Sequence, residues 1–207
     1  TGIEYEYDGK IYHFNKAIMD DYDRTISALS NKGMTVTVII LNDWNPNRPD
    51  LIYPGTKKSS NAFYYMFNGA NEAGFEQTRA IAAFLADHYS GKDPNHGKVS
   101  NWIIGNEINN QQWNYMGSMD LTNYVKVYQQ AFRIFYTAIK STNANDRVYF
   151  SLDYNWMNEI DGKLKYGGKE IVDSFNSIAN VQGQMDWGLA YHPYPCPMIE
   201  PEFWDDP

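Results

Sequence analysis

Apolar residues in this chain follow two alternating rhythms, and the switches between them set out its elements in order. The opening IEYEYDGKIYHF repeats every second residue on either side of Asp8-Gly9. That pair suits the two positive φ values of a type I′ turn and predicts a hairpin over residues 1–14, with Ile3 opposite Phe14 and Tyr5 opposite Tyr12 on one apolar face. Ile18, Tyr22, Ile26 and Leu29 then recur at helical spacing, and Gly33 is placed to end that helix in a left-handed residue. The run GMTVTVIILNDW that follows is β-branched and almost unbroken, which predicts a strand buried on both faces. The alternation then returns three times. Phe75, Thr78, Ala82, Leu85 and Tyr89 mark a helix and Val99 to Ile104 a strand. Tyr124, Tyr128, Ala131, Phe135 and Ile139 mark a helix, with the strand RVYFSLD from Arg147. Ile171, Phe175 and Ile178 mark a shorter helix, with the strand DWGLAYH from Asp186.

Helix and strand in strict alternation predict βαβ units around a parallel sheet. An open doubly wound sheet that binds a dinucleotide would carry G-x-G-x-x-G after an early strand, and none of these strands does. The competing architecture is the (β/α)₈ barrel, which takes about 250 residues. Four strands and four helices are legible in 207 residues. The expectation is therefore a single α/β domain over residues 1–207, an incomplete (β/α)₈ TIM barrel with the hairpin 1–14 inserted. Such a piece leaves two open edges and an uncovered apolar face, which predicts instability alone, association, or completion by missing chain segments.

Composition narrows the function classes. A net charge of −8 argues against nucleic acid, whose phosphates require a clustered basic surface. No apolar run approaches the roughly 20 residues of a bilayer span, so no membrane partner is expected. The chain begins at Thr1 rather than Met, the expectation being a processed or excised piece. Its single cysteine, Cys196, makes no intrachain disulfide. Aromatic residues make up 16%, serving as core bulk or as flat platforms of the kind a sugar cleft uses.

Candidate chemistry lies at the strand ends, where barrel enzymes collect their reactive groups. Those ends read Asn42-Asp43-Trp44, Gly105-Asn106-Glu107, Asp153-Tyr154-Asn155-Trp156 and His192-Pro193-Tyr194. Asp43 and Asp153 also suit turns and helix caps. Glu107 is the sharpest case, because a carboxylate at the foot of an apolar strand is costly to bury unless it is partnered. His13, His88, His96 and His192 are scattered without H-E-x-x-H or Cys/His spacing, so no metal and no cofactor is expected. No G-x-S-x-G elbow is present, and Cys196 between Pro195 and Pro197 has no evident base.

Asn106-Glu107 at one strand end, with His192-x-Tyr194 two strands later, resembles the active-site pattern of clan A glycoside hydrolases, closest in style to family 5. The resemblance implies that the four strands are barrel strands three to six. It also implies a retaining hydrolysis of O-glycosidic bonds in a poly- or oligosaccharide, with Glu107 as general acid/base and Asn106 bonded to the sugar 2-hydroxyl. His192 and Tyr194 would line the cleft and orient the nucleophile, and Trp44 and Trp156 would offer stacking faces. The family's second carboxylate ends strand seven, beyond this sequence, and the arginine expected at the end of strand two is missing as well. Asp153, Glu200 and Glu202 are the nearest acids in this chain, and none matches the family's position. A non-catalytic carbohydrate-binding barrel is the alternative, and an open sheet whose strand order reverses is a third reading. Secretion or a periplasmic location is implied only through the resemblance.

Overall fold

The structure is a computed structural model that describes residues 2–157 and 161–194. The predicted hairpin forms from β1 (Gly2–Tyr7) and β2 (Lys10–Asn15), with Ile3 opposite Phe14 and Tyr5 opposite Tyr12. Asp8 and Gly9 take φ of 54° and 73°, the pair of left-handed residues that a two-residue turn requires. Its apolar face seats on helix α2 (Glu72–His88), where the Phe14 and Phe84 rings stack 3.7 Å apart.

Four parallel strands follow: β3 (Thr37–Ile40), β4 (Asn101–Ile104), β5 (Arg147–Leu152) and β6 (Trp187–Tyr191). Their order in the sheet is the order in the chain, without a reversal among the described strands. Helices α1 (Lys16–Ser30), α3 (Leu121–Thr142) and α4 (Gly168–Gln182) complete the alternation. Asn15, Asn71 and Asp120 cap α1, α2 and α3, each accepting backbone N–H groups of the first turn, the donors a helix leaves unpaired. The molecule is thus a mixed α/β fold with a parallel sheet and an antiparallel N-terminal hairpin.

The core lies between the sheet and a layer in which α2 packs on α3 and α3 on α4. Trp102, Ile104, Val148, Phe150 and Leu152 supply the sheet's share and Tyr128, Phe132, Phe135 and Phe175 the helices'. Phe150, Phe175 and Trp187 form one aromatic knot, with ring centroids 4.9–5.1 Å apart. On the other face, Ile39, Ile103, Tyr149 and Gly188 stand side by side in register. A Cβ on Gly188 would come within 2.4 Å of the Tyr149 ring, so glycine is what lets that ring lie flat across β6.

Two expectations are corrected. Strand β3 is not buried on both faces: Ile39 is 43% exposed, as β3 is an edge strand that pairs only with β4 among the described strands. Helix α1 forms as predicted, but Ile18, Tyr22 and Leu29 face outward while Met19 and Ile26 are buried. The inward face is turned by one residue from the most apolar stripe and carries Asp23, whose side chain is 13% exposed. Residues Thr1, Cys196, Glu200, Glu202 and Asp205 to Pro207 lie outside the described residues.

Candidate functional site

The strand β4 ends in a tight reversal built from two left-handed residues, Gly105 at φ 76° and Glu107 at φ 41°. Glycine suits the first, where a Cβ would meet Ile108 at 3.1 Å. Glutamate is an unusual choice for the second, since left-handed backbone costs an L residue roughly 1–2 kcal/mol. Surrounding hydrogen bonds hold it there. Tyr128 Oη donates to the Ile104 carbonyl at 2.5 Å and Tyr124 Oη to the Ile108 carbonyl at 2.7 Å. The Glu107 N–H donates to Ser151 Oγ at 2.8 Å, and the Ile108 N–H to the Ser151 carbonyl at 2.9 Å.

The end of β6 closes onto the same point. The His192 N–H donates to the Leu152 carbonyl at 2.9 Å, and His192 Nδ1 meets Glu107 Oε1 at 2.8 Å. The ends of β4, β5 and β6 are therefore joined in one hydrogen-bonded arc. The Glu107 side chain is 11% exposed and that of His192 22%, so the pair is largely buried but still touches solvent. Ser151 Oγ donates to Asn106 Oδ1 at 3.4 Å, and among the described residues Asn106 Nδ2 has no acceptor, leaving a free donor on the residue next to Glu107. A carboxylate paired to an imidazole next to a free amide donor is equipped to pass a proton and to hold a hydroxyl.

The other residues picked from the sequence are spread around this centre. The Tyr194 ring stands edge-on to His192 with centroids 5.9 Å apart. Trp44 packs at 5.1 Å against Tyr65, on the loop that leaves β3. Trp156 is not drawn to Glu107: its ring meets Tyr191 edge-on at 5.9 Å and lies against Gly168 at the start of α4. Tyr191 pairs with Leu152, whose side chain belongs to the helix-side core, so Trp156 stands on the helix-side rim. Asp153 is committed to structure, accepting from Asn109 Nδ2 and from both the backbone and the side chain of Asn155. It also donates its N–H to Asn109 Oδ1. This lock fixes the loop after β4 and takes Asp153 out of the candidate acids. Among the described residues, no third His, Cys, Asp or Glu joins Glu107 and His192 within 4.8 Å.

Three contributors escaped sequence reasoning. Ser151 reads as one more residue of an apolar strand, yet it is fully buried and links Glu107 to Asn106. Phe63 and Trp113, with ring centroids 4.8 Å apart, bring together the loops that leave β3 and β4, and Phe63 is 54% exposed. The aromatic cluster FYYMF was the only available signal. His88 and His96, read as unrelated histidines, stack on one another beside Asp23.

A family model described as "Family of unknown function (DUF5722)" matches residues 1–207. No curated protein matches the chain.

Proposed function

Since the chain belongs to DUF5722, a family of unknown function, its activity has to be read from its own site, and we propose that it is a glycoside hydrolase. The observation that carries this reading is the 2.8 Å contact between Glu107 Oε1 and His192 Nδ1, made between the C-terminal ends of two parallel strands with one strand between them. That is the interval at which clan A hydrolases set their acid/base and their His-x-Tyr pair. The unreversed strand order and the single helix layer support an arc of a (β/α)₈ barrel, in which chemistry gathers at this end of the sheet.

In this mechanism the Glu107 carboxyl protonates the glycosidic oxygen as a second carboxylate bonds to the anomeric carbon and the leaving sugar departs; the Glu107 carboxylate then takes a proton from the water that displaces that second carboxylate. Asn106 Nδ2 donates to the 2-hydroxyl, a bond that strengthens as the sugar approaches an oxocarbenium ion. His192 holds the Glu107 carboxylate in one orientation, and Tyr194 lines the cleft beside it. Trp44 and the Phe63–Trp113 pair offer faces for sugar rings further along. A retaining reaction needs a second carboxylate about 5–5.5 Å from the first, and among the described residues no Asp or Glu joins both Glu107 and His192 within 4.8 Å.

That last observation favours one alternative, a carbohydrate-binding barrel without turnover. The test uses a panel of polysaccharides and aryl glycosides with the parent protein and with Glu107→Gln. Hydrolysis by the parent and its loss in a folded Glu107→Gln variant support the proposal. Turnover undiminished by that substitution sinks it, and saturable sugar binding without hydrolysis in the parent selects the binding barrel.

A further inference from the structure

At the opposite end of the sheet, three segments far apart in the chain bring ligating side chains together. Asp23 lies on α1, His88 is the last residue of α2, and His96 lies in the connection from α2 to β4. Their ligand atoms all fall within 4.8 Å of one another. His88 Nε2 meets Asp23 Oδ1 at 2.8 Å, and the His88 and His96 rings stack with centroids 3.7 Å apart and planes 17° from parallel. We propose that Asp23, His88 and His96 form a binding site for a divalent transition-metal ion of the zinc type.

The donor set fits that class of ion. Two imidazoles and one carboxylate are borderline donors, suited to zinc and its neighbours and unlike the all-oxygen cages of calcium or magnesium. Tetrahedral zinc with bonds of about 2.0–2.1 Å sets its ligand atoms roughly 3.3 Å apart, so modest rotations of side chains already in contact close the set. His96 is the most open of the three, with its side chain 33% exposed, and provides the entry path, whereas His88 is 6% exposed and anchors the site.

A second observation points to the same place. The Tyr89 hydroxyl is buried and makes no well-formed hydrogen bond, its ring meeting His88 edge-on at 4.8 Å. Asp23 lies beside that hydroxyl, so a buried polar atom faces the negative side of the cluster. A cation there relieves the Asp23 charge and gives the hydroxyl an ion-bound water to bond. The ion would tie α1 to the α2–β4 junction, at the end of the sheet away from Glu107. The site does not depend on the hydrolase reading.

The experiment titrates chelator-stripped protein with zinc(II) against a chromophoric indicator and follows the melting temperature in parallel. The expected result is one bound zinc per chain with Kd about micromolar or tighter and a higher melting temperature with zinc present. His96→Ala and Asp23→Asn should each weaken binding by at least roughly tenfold, while His13→Ala on the hairpin leaves it unchanged. Circular dichroism of His96→Ala separates lost ligation from lost folding, and cobalt(II) absorption in the visible range reports coordination directly. Zinc affinity equal in parent, His96→Ala and Asp23→Asn overturns the proposal, as does the absence of saturable binding in the parent; the cluster is then only a hydrogen-bonded histidine stack.

Discussion

Ser151 illustrates how a single hydroxyl carries the geometry of the candidate site. It accepts from the Glu107 N–H at 2.8 Å and donates to Asn106 Oδ1 at 3.4 Å, and no part of it is exposed. Replacing it with alanine strands a buried N–H at a residue already held at φ 41°. An unpaired buried donor costs about 1–3 kcal/mol, and Ser151→Ala should lose that much in urea denaturation. The same change frees Asn106 to turn, so in the hydrolase reading kcat should fall more than KM rises. A variant as stable as the parent, with unaltered kinetics, removes Ser151 from the site. The residues with distinctive chemistry, Glu107, Asn106 and His192, were legible in the sequence because polar groups at the ends of apolar strands stand out. Ser151 was not, because a small polar residue inside a strand gives no sign of which neighbours its hydroxyl will meet.

At the scale of elements, periodicity located the four α-helices and six strands of the described residues, and the hairpin register followed from the Asp8-Gly9 turn. Periodicity did not reveal which side of an element would be covered. In α1 the most apolar stripe, Ile18, Tyr22 and Leu29, faces outward and Asp23 faces inward, since packing against α2 and its following loop, not hydrophobicity alone, sets the helix's rotation. The start of β5 has a comparable buried acid. Asp146 accepts from Trp102 Nε1 at 3.3 Å and Asn143 Nδ2 at 2.7 Å, and burial pushes its carboxyl above the ordinary aspartate value, only partly offset by the Trp102 bond. The folded chain therefore holds this proton more tightly than the unfolded chain does. The contribution to stability is fully present below the unfolded pKa and is lost as pH rises through the higher folded pKa. Asp146→Asn removes this titration. The stability of the parent relative to Asp146→Asn should improve as pH is lowered from 7 through the raised value, as read from denaturation at several pH values. A difference that stays constant with pH contradicts the account.

For the whole molecule, the decisive feature is a sheet with helices on one face and, on the other, apolar side chains exposed at the β3 edge. That face carries Ile39 and Ile103 in register, with Tyr149 beyond them; Ile39 is 43% and Leu41 37% exposed at the β3 edge, whereas Ile103 is buried. β3 and β6 each pair on one side only among the described strands. Parallel sheets are stable when both faces are covered, and open edges recruit other strands. Burying this face gains roughly 25 cal/mol per Å² of apolar area, a drive toward self-association or toward covering by further strands. The barrel reading requires such covering, whereas an open-sheet reading would call for helices on this face. The 207-residue chain should therefore sediment as concentration-dependent assemblies, and Ile39→Lys should shift it toward monomer by placing a charge on the contact face. Because Ile39 sits opposite the helix-packed core, that substitution should leave the melting temperature nearly unchanged. A chain that is monomeric at high concentration and unfolds cooperatively with ordinary stability would mean that this face needs no cover, and the reading of this sheet as an arc of a barrel would lose its main physical support.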